Sequence, residues 1–291
     1  MSITSHPALP KVGVGLRHAH YEAALSDVAD IDFVEVHTEN FSMDGGAHLA
    51  VLERARELYD VSLHCTALGL GSAVGISDRA VEKLAELTQR FNPMLVSDHL
   101  CFCWVDMGAV RMHASDLLPV QRTPESLEVL ACNIDRVQQS IGRSLLVENI
   151  SVYLDEPGQE QSETEFLCAL VEKTGCRLLV DINNLLVNAH NHSSPAPERY
   201  VASWLDQIPG HAVGEIHLAG YSPVAAGEIA VDDHGAPVSA AAWRLYEYAL
   251  GRYGNVPTLI EWDTALPDWN ALQNEAIHAR YVSRKALGIS E

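Results

Sequence analysis

The chain has 291 residues, 47% of them hydrophobic, and 39 acidic against 19 basic side chains give a formal net charge of −20. That length suffices for one large domain with a closed core or for two small ones. The charge repels phosphate backbones and anionic lipid, so no nucleic acid and no membrane is expected as a partner, whereas a cation is.

No apolar run approaches the roughly 20 residues needed to span a bilayer. The opening "MSITSHPALPKVGVGLR" has no basic segment followed by an apolar one, so no signal peptide is expected. Six cysteines (Cys65, Cys101, Cys103, Cys132, Cys168 and Cys176) form no CxxC pair and read as reduced thiols of a cytoplasmic protein. Cys101 and Cys103 make a lone CxC, a weak metal signal that is better read as core or cleft thiols.

In chain order, apolar runs predict strands at 12–16, 32–38, 60–64, 94–99, 145–149, 177–183, 213–218 and 257–262. Amphipathic stretches predict helices at 48–59, 78–91, 124–142, 164–175 and 241–254, the fourth closing on Gly175 as a C-terminal cap. Residues 100–122 and 219–240 read as long loops. Strands alternating with helices imply parallel pairing through right-handed crossovers. Eight such units point to an α/β protein, a (β/α)8 TIM barrel, forming a single domain over 1–291. An open doubly wound sheet shares the alternation, but no GxGxxG or GxxxxGK fingerprint follows any strand.

Polar groups should be scarce in strands buried on both faces. Here they gather at the C-terminal ends: Glu35, His37 and Glu39; His64; Asp98 and His99; Glu148 and Asn149; Asp181, Asn183 and Asn184; Glu215 and His217; Glu261 and Asp263. The two-residue period places the acids and imidazoles on one face of each strand and aliphatics on the other. A single strand-end His or Glu is ordinarily structural. Seven strands repeating it put many like charges at one rim, a cost that a bound cation removes. His64, His99, Glu148, Asp181, His217 and Glu261 are the best ligand candidates, and "VDDHG" adds Asp232 and His234. Imidazole with carboxylate suits iron, manganese or zinc, and the set exceeds the needs of one ion.

The chain resembles the multinuclear non-haem iron-dependent oxidative enzymes, long known as a domain of unknown function. The resemblance runs over nearly the whole length, through "GVGLR" (13–17), "DFVEVHTENF" (32–41), "SLHC" with "LGLGS" (62–72), "VSDHLCF" (96–102), "LLVENISVYL" (145–154), "LLVDINNLLVNAHNH" (178–192), "EIHLAGY" (215–221), "VDDHG" (231–235) and "PTLIEWD" (257–263). It implies a xylose-isomerase-like barrel holding two or three irons in mixed Fe2+/Fe3+ states, with dioxygen as co-substrate. It implies oxidation of cysteines in a ribosomally made precursor peptide, to oxazolone with thioamide or related heterocycles, and a small partner protein that presents the peptide. Carried onto this chain, it assigns metal ligation to His64, His99, Glu148, Asp181, Asn184, His192, His217, Asp232, His234 and Glu261. Glu35, His37, Asn149 and Asn183 then read as residues orienting the ligands, and His190 as a loop neighbour of His192. Arg17 either holds a substrate carboxylate or bridges a rim acid. Phe102, where relatives commonly carry tryptophan, bears on substrate rather than metal. The rival readings are a metal-dependent sugar isomerase, epimerase or hydrolase on the same barrel, and a non-enzymatic metal-binding scaffold.

Overall fold

Each predicted apolar run forms a strand. The computed structural model describes residues 9–153, 157–225 and 227–289; the leader-free reading of the first eight residues lies outside them. Among the described residues ten strands are present: β1 (Val12–Gly15), β2 (Phe33–His37), β3 (Asp60–His64), β4 (Leu95–His99), β5 (Cys101–Met107), β6 (Val110–Pro119), β7 (Leu146–Glu148), β8 (Arg177–Asp181), β9 (Val213–Leu218) and β10 (Thr258–Ile260). The helices are α1 (Tyr21–Ser26), α2 (Ala47–Leu58), α3 (Asp78–Phe91), α4 (Pro124–Ile141), α5 (Glu163–Thr174), α6 (Ile182–Asn191), α7 (Pro197–Gln207), α8 (Ala240–Tyr253) and α9 (Trp269–Ala286). Eight strands close into a barrel in the order β1-β10-β9-β8-β7-β4-β3-β2, as expected, while β5 and β6 form a separate two-stranded sheet.

Local chemistry explains the helix limits. Ser77, Thr123, Ser239 and Asp268 each accept a backbone N–H at a helix start, and Ser162 with Glu165 completes a capping box on α5. Gly142 and the expected Gly175 close α4 and α5 in the left-handed conformation.

Two compact units are distinguished, one running to Phe33 and resuming at Asp181, the other spanning Val34–Val180. In the second, β3, β4 and β7 are paired with His64 beside Ser97 and His99 beside Glu148. Partners in register share a face, so the parity read from sequence holds. In the first, β9, β10 and β1 set Leu259 beside both His217 and Gly13. Position 13 admits only glycine, because a Cβ there would sit 2.6 Å from the Phe33 ring and carbonyl.

Three expectations need correction. The strand expected over 177–183 stops at Asp181, whose side chain accepts the Asn184 N–H and starts α6 at once. His190 is therefore in the last helical turn rather than a loop. The stretch 100–122 holds the β5–β6 hairpin. Helices α1, α7 and α9 occupy segments for which no helix was expected. The described residues of 219–239 form a loop, tied by a bridge between Gly220 and Ala236, and α8 begins at Ala240.

Candidate metal centre

In the Val34–Val180 unit, His64, His99 and Glu148 end three adjacent strands and are buried. Each offers a donor atom within 4.8 Å of the other two. Glu148 Oε2 lies 3.6 Å from His64 Nε2 and 3.4 Å from His99 Nε2. Two donors about 2.1 Å from one ion, at ordinary ligand angles, stand roughly 3.0–3.4 Å apart; the His99 distance falls in that range and the His64 distance slightly beyond it, a spacing close to that of a shared cation. His64 Nδ1 is 2.8 Å from Ser97 Oγ, which turns its Nε2 toward Glu148. The two imidazoles meet edge to face at 4.6 Å.

Around this trio, Ser62 Oγ donates to Glu35 Oε2 at 2.8 Å, fixing a buried carboxylate on the neighbouring strand. The half-buried His37 ring is 5.8 Å from that of His64. Glu39 is engaged structurally, accepting the Thr66 and Ala67 N–H groups. Asp98 sits on the opposite face from His99 and accepts its N–H; burial pushes its carboxyl well above the usual range. Asn149 is buried beside Glu148 in sequence.

In the other unit, Asp181, His217 and Glu261 also bring donor atoms within 4.8 Å of one another. His217 Nδ1 is 2.9 Å from Glu261 Oε2, and its Nε2 is 3.8 Å from Glu215 Oε1. Asp232 and His234 join them from the long loop. His234 Nε2 lies 2.8 Å from Asp232 Oδ1 and 3.7 Å from Asp181 Oδ2, and its Nδ1 is 3.2 Å from Glu261 Oε2. A left-handed backbone at His234 (φ 40°) turns the ring inward, a strain that the surrounding contacts hold. Asn183 donates to Asp232 at 3.1 Å. Arg17 takes the second of its two expected roles, donating to Asp263 at 2.6 and 2.9 Å and to Glu261 at 3.3 Å.

The electrostatics follow from burial and crowding. Burial pushes the Asp181 carboxyl up to about 7 against the pull of His234. Burial alone would raise Glu261 too, but the His217 and His234 imidazoles hold it well below the usual carboxylate range. His234, although buried, is raised well above an ordinary histidine by Asp232 and Glu261. Such mutual dependence suits a cluster built around positive charge.

Eight of the ten expected ligands thus fall into two sets: His64, His99 and Glu148 in one, Asp181, His217, Asp232, His234 and Glu261 in the other. Asn184 is buried at the α6 start, where its backbone N–H meets Asp181 Oδ1. His192 is not brought in: it is exposed just past α6 and belongs to none of the donor groups among the described residues. His190 Nε2 lies 2.9 Å from the Glu228 carbonyl. Ser97 was missed, though its two-residue offset from His99 on the same strand was the available signal. No thiolate enters either set, which matches hard or borderline metals rather than copper(I).

Residues 11–284 match the family described as RiPP precursor modification enzyme MbnB/TglH/ChrH. The chain belongs to this family. Curated relatives include a UPF0276 protein of Caulobacter vibrioides, 42% identical over 91% of this chain and 92% of its own length. Another, from Rhizobium meliloti, is 39% identical over 99% of this chain and 92% of its own. Solved structures similar in fold include D-psicose 3-epimerase from Clostridium cellulolyticum H10, at TM-score 0.60 and 13% identity over 95% of this chain and 99% of that one. A xylose isomerase domain containing protein from Salmonella typhimurium LT2 gives TM-score 0.58 at 14% identity over 95% and 97%. These structural likenesses establish a xylose-isomerase-like TIM barrel. Membership in the MbnB/TglH/ChrH family makes the chain a member of a group of enzymes that modify ribosomally made peptide precursors.

Proposed function

We propose that this family member oxidises cysteine residues of a ribosomally made precursor peptide, with iron at the two donor sets and dioxygen as co-substrate. The observation that carries the reading is the pair of buried imidazole–carboxylate sets, spaced for cations, within a family that modifies such precursors. His64, His99 and Glu148 hold one ion. Asp181, His217, Asp232, His234 and Glu261 suffice for another, or for two. Iron, when bound there, would supply the chemistry that activates dioxygen.

The protein's own part is to orient and to exclude water. Ser97 fixes the His64 ring, Asn183 fixes Asp232, and Arg17 fixes Glu261 and Asp263. Apart from the half-buried Asp232, the residues of the two donor sets are buried, which keeps bulk solvent from them. Products of the oxazolone-with-thioamide type, or related heterocycles, are the expected outcome, and a small partner protein presents the peptide in the cytoplasm.

The test is anaerobic metal analysis followed by dioxygen uptake with a cysteine-bearing precursor. Iron-dependent dioxygen consumption that requires the cysteine supports the reading. Stoichiometric zinc, with no gain from added iron and no dioxygen uptake, overturns it.

A further inference from the structure

Cys101 and Cys103 lie on one face of β5, both almost fully buried, with their sulfurs 3.6 Å apart and hydrogen-bonded to each other. Neither thiol enters a donor set. They form a small core cluster with Ile150, covered by Trp104, Leu117 and Val152. We propose that these two thiols are a redox site that peroxide closes to a disulfide.

Three features favour closure. Residues i and i+2 of a regular strand have Cα atoms roughly 6.6 Å apart, near the upper limit for a disulfide, so a regular strand resists bridging. Here the ladder is irregular at that point: Phe102 pairs with Leu118 but Trp104 pairs with His113, and Cys103 is skipped. Cys103 N–H instead meets Ser72 Oγ at 3.2 Å. Cys101 and Phe102 thus stay in the β6 ladder, while Cys103 lies outside it and can shift toward Cys101.

The second feature is an anchored base. Gly71 N–H donates to the Cys101 carbonyl at 2.7 Å. A Cβ at Gly71 would lie 3.0 Å from that carbonyl oxygen, so the close approach depends on the glycine. The Cys101 backbone is held there, while Cys103 lies outside the ladder. The third is position: Cys101 follows His99 by two residues, so the pair is next along the chain to the donor set.

The chemistry balances. One sulfur attacks peroxide, the O–O bond breaks, and a sulfenic acid and water form. The second sulfur then attacks the first, the S–O bond breaks, and a second water leaves as the S–S bond forms. Two thiols are oxidised and one peroxide is reduced to two waters. Only the source of the peroxide rests on the dioxygen-dependent reading above; closure itself does not.

The experiment therefore uses metal-free, fully reduced protein treated with hydrogen peroxide, alkylated and digested. The expected result is a peptide spanning both residues that is lighter by two hydrogens, resists alkylation, and recovers on reduction with dithiothreitol. Cys101→Ser and Cys103→Ser should each leave a sulfenic acid on the remaining thiol, trapped by dimedone. Full alkylation of both residues after peroxide, or sulfinic acid in the wild-type protein in place of the disulfide, overturns the proposal. Failure of iron binding or dioxygen uptake in the earlier test leaves this result unaffected.

Discussion

Ser97 Oγ lies 2.8 Å from His64 Nδ1, and this bond decides which imidazole nitrogen faces Glu148. Residues 64 and 97 are register partners on adjacent parallel strands, so the contact is built into the sheet. Ser97→Ala removes the hydroxyl that orients the His64 ring. Losing an orienting partner of a metal-bound histidine costs about 10–100-fold in metal affinity. Chelator competition should show such a loss for one class of site, with the circular dichroism spectrum unchanged. An unaltered affinity would remove Ser97 from the account.

Arg17 meets two carboxylates, Asp263 and Glu261, in a place where a bound cation would also be felt. Arg17→Gln leaves two acids beside each other without the guanidinium. Breaking a buried pair costs about 3–5 kcal/mol, but Asp263 is about a third exposed, so roughly 2 kcal/mol is expected in the metal-free protein. Metal-loaded protein should lose less, because the ion supplies positive charge at Glu261. Urea unfolding of both forms checks this, and equal losses would show that the two positive charges act independently.

The raised Asp181 carboxyl couples metal uptake to pH. Burial moves it from 3.8 to about 7 in the metal-free protein. A folded-state value above the unfolded one adds stability below the unfolded value, and that stability is lost as pH rises through about 7. A ligand carboxylate must be ionised, so metal binding displaces the proton, and affinity falls as pH drops below about 7. His234, raised by its acidic neighbours, adds a proton loss of the same sign. Calorimetric titration in buffers of different ionisation heat should report proton release on metal binding, reduced in Asp181→Asn.

The sequence exposed the barrel because the eight strands are continuous apolar runs, and exposed the donor sets because acids and histidines interrupt those runs at a fixed end. It hid α6 for a physical reason. Residues Ile182 through Ala189 are all buried, Asn183, Asn184 and Asn188 included, so no polar face marks the helix. The β5–β6 hairpin was hidden for the opposite reason. Its cross-strand pairs Val105–Met112 and Met107–Val110 are exposed, so its apolar residues carry no core signal. In α9 the buried stripe runs through Trp269, Leu272, Ala276, Ala279, Val282 and Ser283, and the small residues among them weaken the periodicity. His192 was carried by resemblance alone, with no strand end to place it; it is exposed just past α6 and joins none of the donor groups among the described residues.

Tyr246 gives a stability prediction away from the metal sets. It is fully buried on α8, and its hydroxyl lies 2.9 Å from Thr258 Oγ1 on β10 and 2.8 Å from Ser283 Oγ on α9. One hydroxyl therefore ties two helices to a strand. Thr258 also donates to the Val256 carbonyl and Ser283 to the Ala279 carbonyl, so neither loses its last partner when the phenol oxygen goes. Tyr246→Phe keeps the ring and its burial while removing both bonds. A cost of about 1–2 kcal/mol is expected, since a net hydrogen bond contributes about 1 kcal/mol and no donor is left stranded. Metal content should not change. Denaturant midpoints of the metal-free protein measure the first expectation and metal stoichiometry the second; a loss of metal in this variant would mean that the α8–β10–α9 junction reaches the donor sets.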